Sequence, residues 1–241
     1  MSSSVLSGPP YSSEAAALLS IVQGSNETVN TADCGAPEAG DFNWSFFIDL
    51  ACRNHVALTV YRHRSHRLLH ALPADAAGTL RDAYLGMTQH GLRLATIWRE
   101  VAPALEAEGI RVLAYKGRAL AEELYGDASA RHTWDVDALV ESPECAKRAC
   151  EVLRLHGYAL RLPKTAGTVD DALHHDCELM LDHERGPASL ELHWRLLPDA
   201  FGAGGSADFM WTGAVRKKVD GVECWVAPPS ATLRMLLMHN G

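Results

Sequence analysis

Apolar and polar positions divide this chain into a helical first half and a mixed second half. Residues 1–13 and 24–41 are rich in Ser, Gly, Pro, Asn and Asp, and they flank a short apolar run, EAAALLSIV. That pattern predicts a flexible N-terminus over 1–41 carrying one short helix. From Phe42 to Gly109 the spacing is helical: Phe46, Phe47, Leu50 and Ala51 fall at i, i+1, i+4 and i+5. Leu80, Tyr84, Met87, Leu94, Ile97 and Trp98 continue the period. Pro73, Gly78, Gly91 and Pro103 are expected to cut this stretch into three or four helices.

After Gly109 the texture changes. IRVLAY reads as a buried strand, and RALAEELYG as a helix closed by Gly126. TWDVDALV alternates as a strand does. PECAKRACEVLRLHG has proline near its first turn and glycine past its last, the order a helix favours. CELMLDHERGPASLELHW predicts two alternating strands around a Gly-Pro turn. A glycine-rich loop at 202–206, a strand VECWVA and a last helix from Pro229 follow. The expected class is α+β: a mixed β-sheet with flanking helices over 110–241, preceded by a mainly helical region over 42–109.

Composition narrows the function classes. Hydrophobic content of 47% and charged content of 22% are those of an ordinary soluble domain. The net charge of −8 supplies no broad positive field, so nucleic acid is not expected as a partner. No apolar run is long enough to span a membrane, and the start MSSSVLSGPP lacks the basic and apolar regions of a secretory signal. The six cysteines include no C-x-x-C pair and read as the reduced thiols of a cytoplasmic protein.

The candidate chemistry lies between residues 116 and 193. Side chains at i and i+2 of a strand share a face, so Asp135 and Asp137 point the same way with Cα atoms about 6.6–6.8 Å apart. Two carboxylates at that span repel unless a cation joins them. In SLELHW, Glu191 and His193 share one face and Leu190, Leu192 and Trp194 the other. If that strand neighbours the Asp-x-Asp strand, Glu191 completes a three-carboxylate set. Oxygen donors of that kind favour magnesium over zinc. Lys116-Gly117 falls where a strand meets a helix, a place suited to phosphate, and Arg131 could add a second positive charge.

These pieces, YKGRALAEELYGD, Arg131, WDVDALV, HGY and LELHW, resemble the uncharacterised nucleotidyltransferase family of the polymerase-β-like superfamily. The resemblance runs from about Phe42 to the C-terminus and is densest over 112–197. It implies Asp135, Asp137 and Glu191 as ligands of Mg2+ (or Mn2+), with Glu191 also the candidate base. Lys116, Gly117 and Arg131 would then bind a nucleoside triphosphate, with ATP the expected donor. The implied reaction moves a nucleoside monophosphate to the hydroxyl of a small-molecule or peptide acceptor and releases pyrophosphate. Two departures from the family pattern stand out. Trp134 occupies a position that is commonly small. The chain stops before the further C-terminal helices usual in the family, so an acceptor-binding lobe is expected to be missing or supplied by a protein partner.

Blander readings accompany each of these. Asp135 and Asp137 also suit the solvent side of an edge strand, and Lys116, Arg131 and Glu191 suit an ordinary surface. The chain would then be a catalytically weak or inactive protein acting as a nucleotide-binding or partner-binding scaffold. His193 is read as orienting Glu191, and His174, His175 and Asp176 as a loop. YRHRSHRLLH (61–70) is read as a solvated helix face, or more sharply as a docking surface for an acidic partner. His66 and His70 lack the intervening glutamate of a zinc protease.

Overall fold

The computed structural model describes residues 12–22, 42–63, 67–162, 166–184, 186, 189–198 and 205–240. The chain divides into two compact units, Met1–Thr88 and Gln89–Gly241.

In the first unit, α1 (Ser13–Val22), α2 (Trp44–Arg53) and α3 (Ala57–Arg62) precede a short 3-10 helix, Arg67–Ala71. Asn43 caps α2 by accepting from the Phe46 N–H. Leu18 and Ile21 of α1 pack with Phe47, Ile48 and Ala51 of α2 and with Val60, giving this unit its own apolar core. The expected short helix is therefore present. The rest of 1–41 lies outside the described residues apart from Ser12, as do Arg64, Ser65 and His66 of the basic stretch.

Helix α4 (Ala74–Ala107) is continuous, and the expected breaks within it do not occur. Pro73 precedes it, but Gly78, Gly91 and Pro103 lie inside. An isolated glycine costs a helix about 1 kcal/mol and an interior proline about 3. The apolar seam Leu94, Ile97, Trp98, Val101 and Leu105 is buried without interruption and outweighs both. Gly91 also has a packing reason. A Cβ there would stand 3.2 Å from the Arg118 guanidinium, so the missing side chain lets Arg118 lie along the helix.

The second unit holds a seven-stranded mixed sheet. Its strands are β1 (Leu113–Ala114), β2 (Asp135–Leu139), β3 (Tyr158–Arg161), β4 (Glu178–His183), β5 (Ser189–His193), β6 (Val215–Val219) and β7 (Val222–Val226). They lie in the order β3-β4-β5-β2-β1-β7-β6. Pairs β1–β7 and β2–β5 are parallel and the others antiparallel. Helices α5 (Gly117–Tyr125), α6 (Pro143–Leu155), α7 (Val169–His175), α8 (Asp208–Trp211) and α9 (Pro229–Asn240) complete it. No helix among the described residues is long and apolar enough to cross a membrane.

The fold class is α+β, as expected, with local differences. The IRVLAY strand shrinks to Leu113–Ala114. β3 and β6 join the sheet at its two edges. His174 and His175 end α7 rather than lying in a loop, and Thr168 caps that helix from the Asp171 N–H. One core, from Leu94 through Val136, Ala138, Leu190 and Leu192, fills one side of the sheet. A second, around Leu113, Tyr115, Leu139, Met210 and Met235, fills the other.

Candidate active site

Strands β2 and β5 run side by side and in parallel, with Asp137 opposite Glu191 and Asp135 opposite Ser189. Val136, Ala138, Leu190 and Leu192 are buried in the core, which turns the alternate side chains to the other face. The conditional expectation is thus met: the strand carrying Glu191 is the neighbour of the Asp-x-Asp strand. Asp137 is 9% exposed, and Asp135 and Glu191 are half-buried.

His193 stands at the centre of the acids. It is 1% exposed. Its Nε2 lies 3.4 Å from Asp137 Oδ1 and 3.5 Å from Glu191 Oε2, and its Nδ1 lies 3.3 Å from Glu178 Oε2. Burial alone would drive the imidazole towards its neutral form. Hydrogen bonding to Asp137, Cys177 and Glu191 outweighs that and raises its pKa to about 10. Tyr115 packs edge-on against the ring with centroids 5.1 Å apart. Burial, followed by the charge of Asp137, pushes the Tyr115 phenol well above its ordinary range.

The carboxylates show the strain of like charges in a shielded place. Asp135 is pushed up to about 7, first by burial and then by the charges of Asp137 and Glu191, with Lys116 acting in the opposite sense. Glu178 is also raised, again mainly by burial. Such crowding is what a bound cation relieves.

Lys116 and Gly117 hold their positions through unusual backbone. Lys116, the N-cap residue of α5, adopts φ 55° and ψ −154°, a region nearly reserved for glycine. That conformation brings its Nζ to 3.6 Å from Asp137 Oδ1 and to 4.9 Å from the Tyr115 ring centre. Gly117 has φ 30°, and a Cβ there would meet Asp137 Oδ2 at 3.3 Å and Thr133 Cγ2 at 3.4 Å. The N-cap residue makes no side-chain hydrogen bond to α5, which leaves the first N–H groups without that acceptor.

Arg131 stands apart. It is exposed in the connection between α5 and β2 and forms no ion pair with a described residue. Trp134, 59% exposed, is held by His132 edge-on at 4.4 Å, and its carbonyl oxygen lies 2.8 Å from His90 Nε2.

Beside Asp135 and Asp137 a cavity of about 20 Å³, room for one water, is walled by Trp98, Tyr115, Arg118 and Asp220. Arg118 grips the Asp220 carboxylate with two hydrogen bonds, and Arg99 donates to the Asp220 carbonyl oxygen at 2.9 Å. The β6–β7 turn is thereby tied to the helix that carries Lys116 and Gly117.

Tyr115, Glu178 and Cys177 escaped the sequence reading of the site. The signal for Glu178 was available. A hairpin folded about residues 184–188 puts Glu178 opposite His193, and these two do pair. Tyr115 offered no such signal, because its place beside His193 depends on β1 crossing to the far side of β2.

Asp137, Glu191 and His193 offer donor atoms within 4.8 Å of one another, and Asp135 adds a third carboxylate on the same face. Two carboxylates and an imidazole nitrogen so arranged could hold a divalent cation, with Asp135 outside that group. A search of curated proteins finds no match to this chain. A family model described as uncharacterised nucleotidyltransferase matches residues 40–241, and the chain belongs to that family.

Proposed function

We propose that Asp135, Asp137 and Glu191 hold Mg2+ or Mn2+, and that the protein transfers a nucleoside monophosphate from a triphosphate, ATP as donor, to an acceptor hydroxyl with release of pyrophosphate. The observation that carries this reading is the parallel β2–β5 register, which sets Asp137 against Glu191 with Lys116 Nζ 3.6 Å from Asp137. Membership of the family supports the reaction class. The acceptor class, a small molecule or a peptide, is carried by analogy alone.

A divalent cation bound here would neutralise phosphate charge as the leaving group departs. The chain's own residues do the rest. The first N–H groups of α5, which no N-cap side chain engages, and the Gly117 backbone receive phosphate oxygens, and Lys116 adds a positive charge to them. Glu191 Oε takes the proton of the acceptor hydroxyl. His193, charged and buried, keeps Asp137 and Glu191 in place. Arg131, exposed in the connection between α5 and β2, would meet the triphosphate from solvent.

Calorimetric titration of each Mg-NTP into the wild type and into Asp135→Asn/Asp137→Asn tests the site. One nucleotide should bind the wild type and lose its binding in the double variant. No binding to folded wild type would overturn the enzyme reading. Binding without pyrophosphate release across an acceptor screen would favour the scaffold instead.

A further inference from the structure

His193 has two ring nitrogens, and the carboxylate site uses only one. Nε2 faces Asp137 and Glu191. Nδ1 faces the other way, towards Glu178, and Cys177 also lies beside the ring. These three residues come from the two strands of one hairpin. Glu178 opens β4 directly across from His193 of β5. Cys177 sits one residue earlier, its carbonyl oxygen accepting from the Trp194 N–H at 3.1 Å. A thiol, a carboxylate oxygen and an imidazole nitrogen thereby gather within 4.8 Å of one another.

We propose that Cys177, Glu178 and His193 Nδ1 form a site for a soft divalent cation, with zinc the best match, distinct from the hard-cation site on the other side of the same ring.

Three observations carry it. The first is the donor set. One sulfur, one nitrogen and one oxygen select zinc-like ions over magnesium, which takes oxygen. The second is distance. Zinc bonds of about 2.0–2.2 Å to nitrogen and oxygen, held at the tetrahedral angle, set the two donors roughly 3.3–3.5 Å apart. Nδ1 and Glu178 Oε2 are already 3.3 Å apart. The third is the support behind the ligand. A metal-binding histidine characteristically donates its remaining ring N–H to a carboxylate, which fixes its tautomer. Here Nε2 lies 3.4 Å from Asp137 Oδ1, the carboxylate to which it would donate once the ion is bound, in a ring that is 1% exposed.

The site is open on one side. Cys177 is half-buried and the Glu178 side chain is 36% exposed, so an ion can enter and solvent can supply a fourth ligand. On binding, the Cys177 thiol and the Nδ1 of the charged imidazole each release a proton to solvent, Nδ1 then presents its lone pair, and Nε2–H stays on the side of Asp137 and Glu191. The carboxylates that would hold magnesium are then the outer support of the zinc site. The proposal needs only the hairpin and His193, so it stands whether or not the protein transfers nucleotides.

Cobalt(II) reports this directly, because a cobalt–thiolate bond has a near-ultraviolet charge-transfer band. In reduced, metal-free wild type titrated with Co2+, that band should saturate at one equivalent of thiolate-bound cobalt, and Zn2+ should bleach it. Cys177→Ala should lose the band, and Glu178→Gln should weaken binding by at least about tenfold. Cys52→Ser, in the first unit, should change neither. Thermal melts establish that each variant is folded; if Cys177→Ala is not, Glu178→Gln decides. A band that survives in folded Cys177→Ala, wild-type affinity in Glu178→Gln, or displacement of cobalt by millimolar Mg2+ would each overturn the site.

Discussion

Asp135 shows most plainly how one side chain can work against the fold that carries it. Its carboxyl is raised to about 7 by burial and by Asp137 and Glu191. A carboxyl raised in the folded state favours folding while it keeps its proton, below its unfolded value near 4. That contribution is lost as pH climbs through about 7, so in metal-free protein this group makes stability fall between pH 4 and pH 7. His193, raised to about 10, loses its contribution over a higher window, between its ordinary value of 6.5 and about 10. Asp135→Asn removes the crowded charge. The metal-free variant should therefore melt above the wild type at pH 8 and match it more closely at pH 4, while metal-dependent nucleotide binding disappears. Melting curves at the two pH values, without divalent cations, check this. Equal shifts at both would show that Asp135 carries no charge penalty. Lys116 shows the same tension in its backbone, because a conformation costing about 1–3 kcal/mol is retained where it aims an ammonium group at Asp137.

At the scale of elements, the hairpin β6–β7 connects the sheet edge to the Lys116-Gly117 turn. Its two-residue turn, Asp220-Gly221, has positive φ at both positions, 51° and 82°, the geometry that joins antiparallel strands tightly. Asp220 also holds Arg118, with the two side chains only 7% and 10% exposed. Asp220→Ala leaves a buried guanidinium without its partner and puts a Cβ-bearing residue with no polar side chain at positive φ. It should cost about 3–5 kcal/mol. Asp220→Asn keeps one acceptor and tolerates that backbone better, so it should cost less. Urea unfolding midpoints rank the two, and equal losses would assign the effect to charge alone. On β6 itself, VRKKV was missed as a strand because four of its five residues face solvent at the sheet edge. Consecutive basic residues there discourage pairing with another chain. β3 escaped because it alternates over only four residues straight after a helix.

For the whole molecule, the balance of charge and the placement of the acids determine what can bind. A net charge of −8 disfavours polyanions, yet Lys116 and the start of α5 make a local exception beside the carboxylates. Small phosphates carried with a divalent cation fit that exception. A ligand that binds only the folded state stabilises it by mass action, about 2.7 kcal/mol at a hundredfold excess over Kd. Mg-ATP should therefore raise the melting temperature of the wild type and leave Asp137→Asn unchanged, whereas ATP with a chelator should do little to either. Thermal shift assays at fixed protein concentration measure this. A rise with ATP alone would place the nucleotide away from the carboxylates.

Periodicity determined much of this protein in advance. The helical stretch before Gly109, the DVDAL and SLELH strands and the face shared by Asp135 and Asp137 all follow from local spacing. Side-chain alternation is a property of the extended backbone and needs no partner. The positions of the helix breaks were not determined that way, because burial of the α4 seam overrides the local cost of Gly91 and Pro103. The β2–β5 pairing, the strained Lys116 and the approach of Tyr115 to His193 were decided only in three dimensions. Each depends on which distant strand lies alongside, and that is settled by burying apolar faces across the whole sheet.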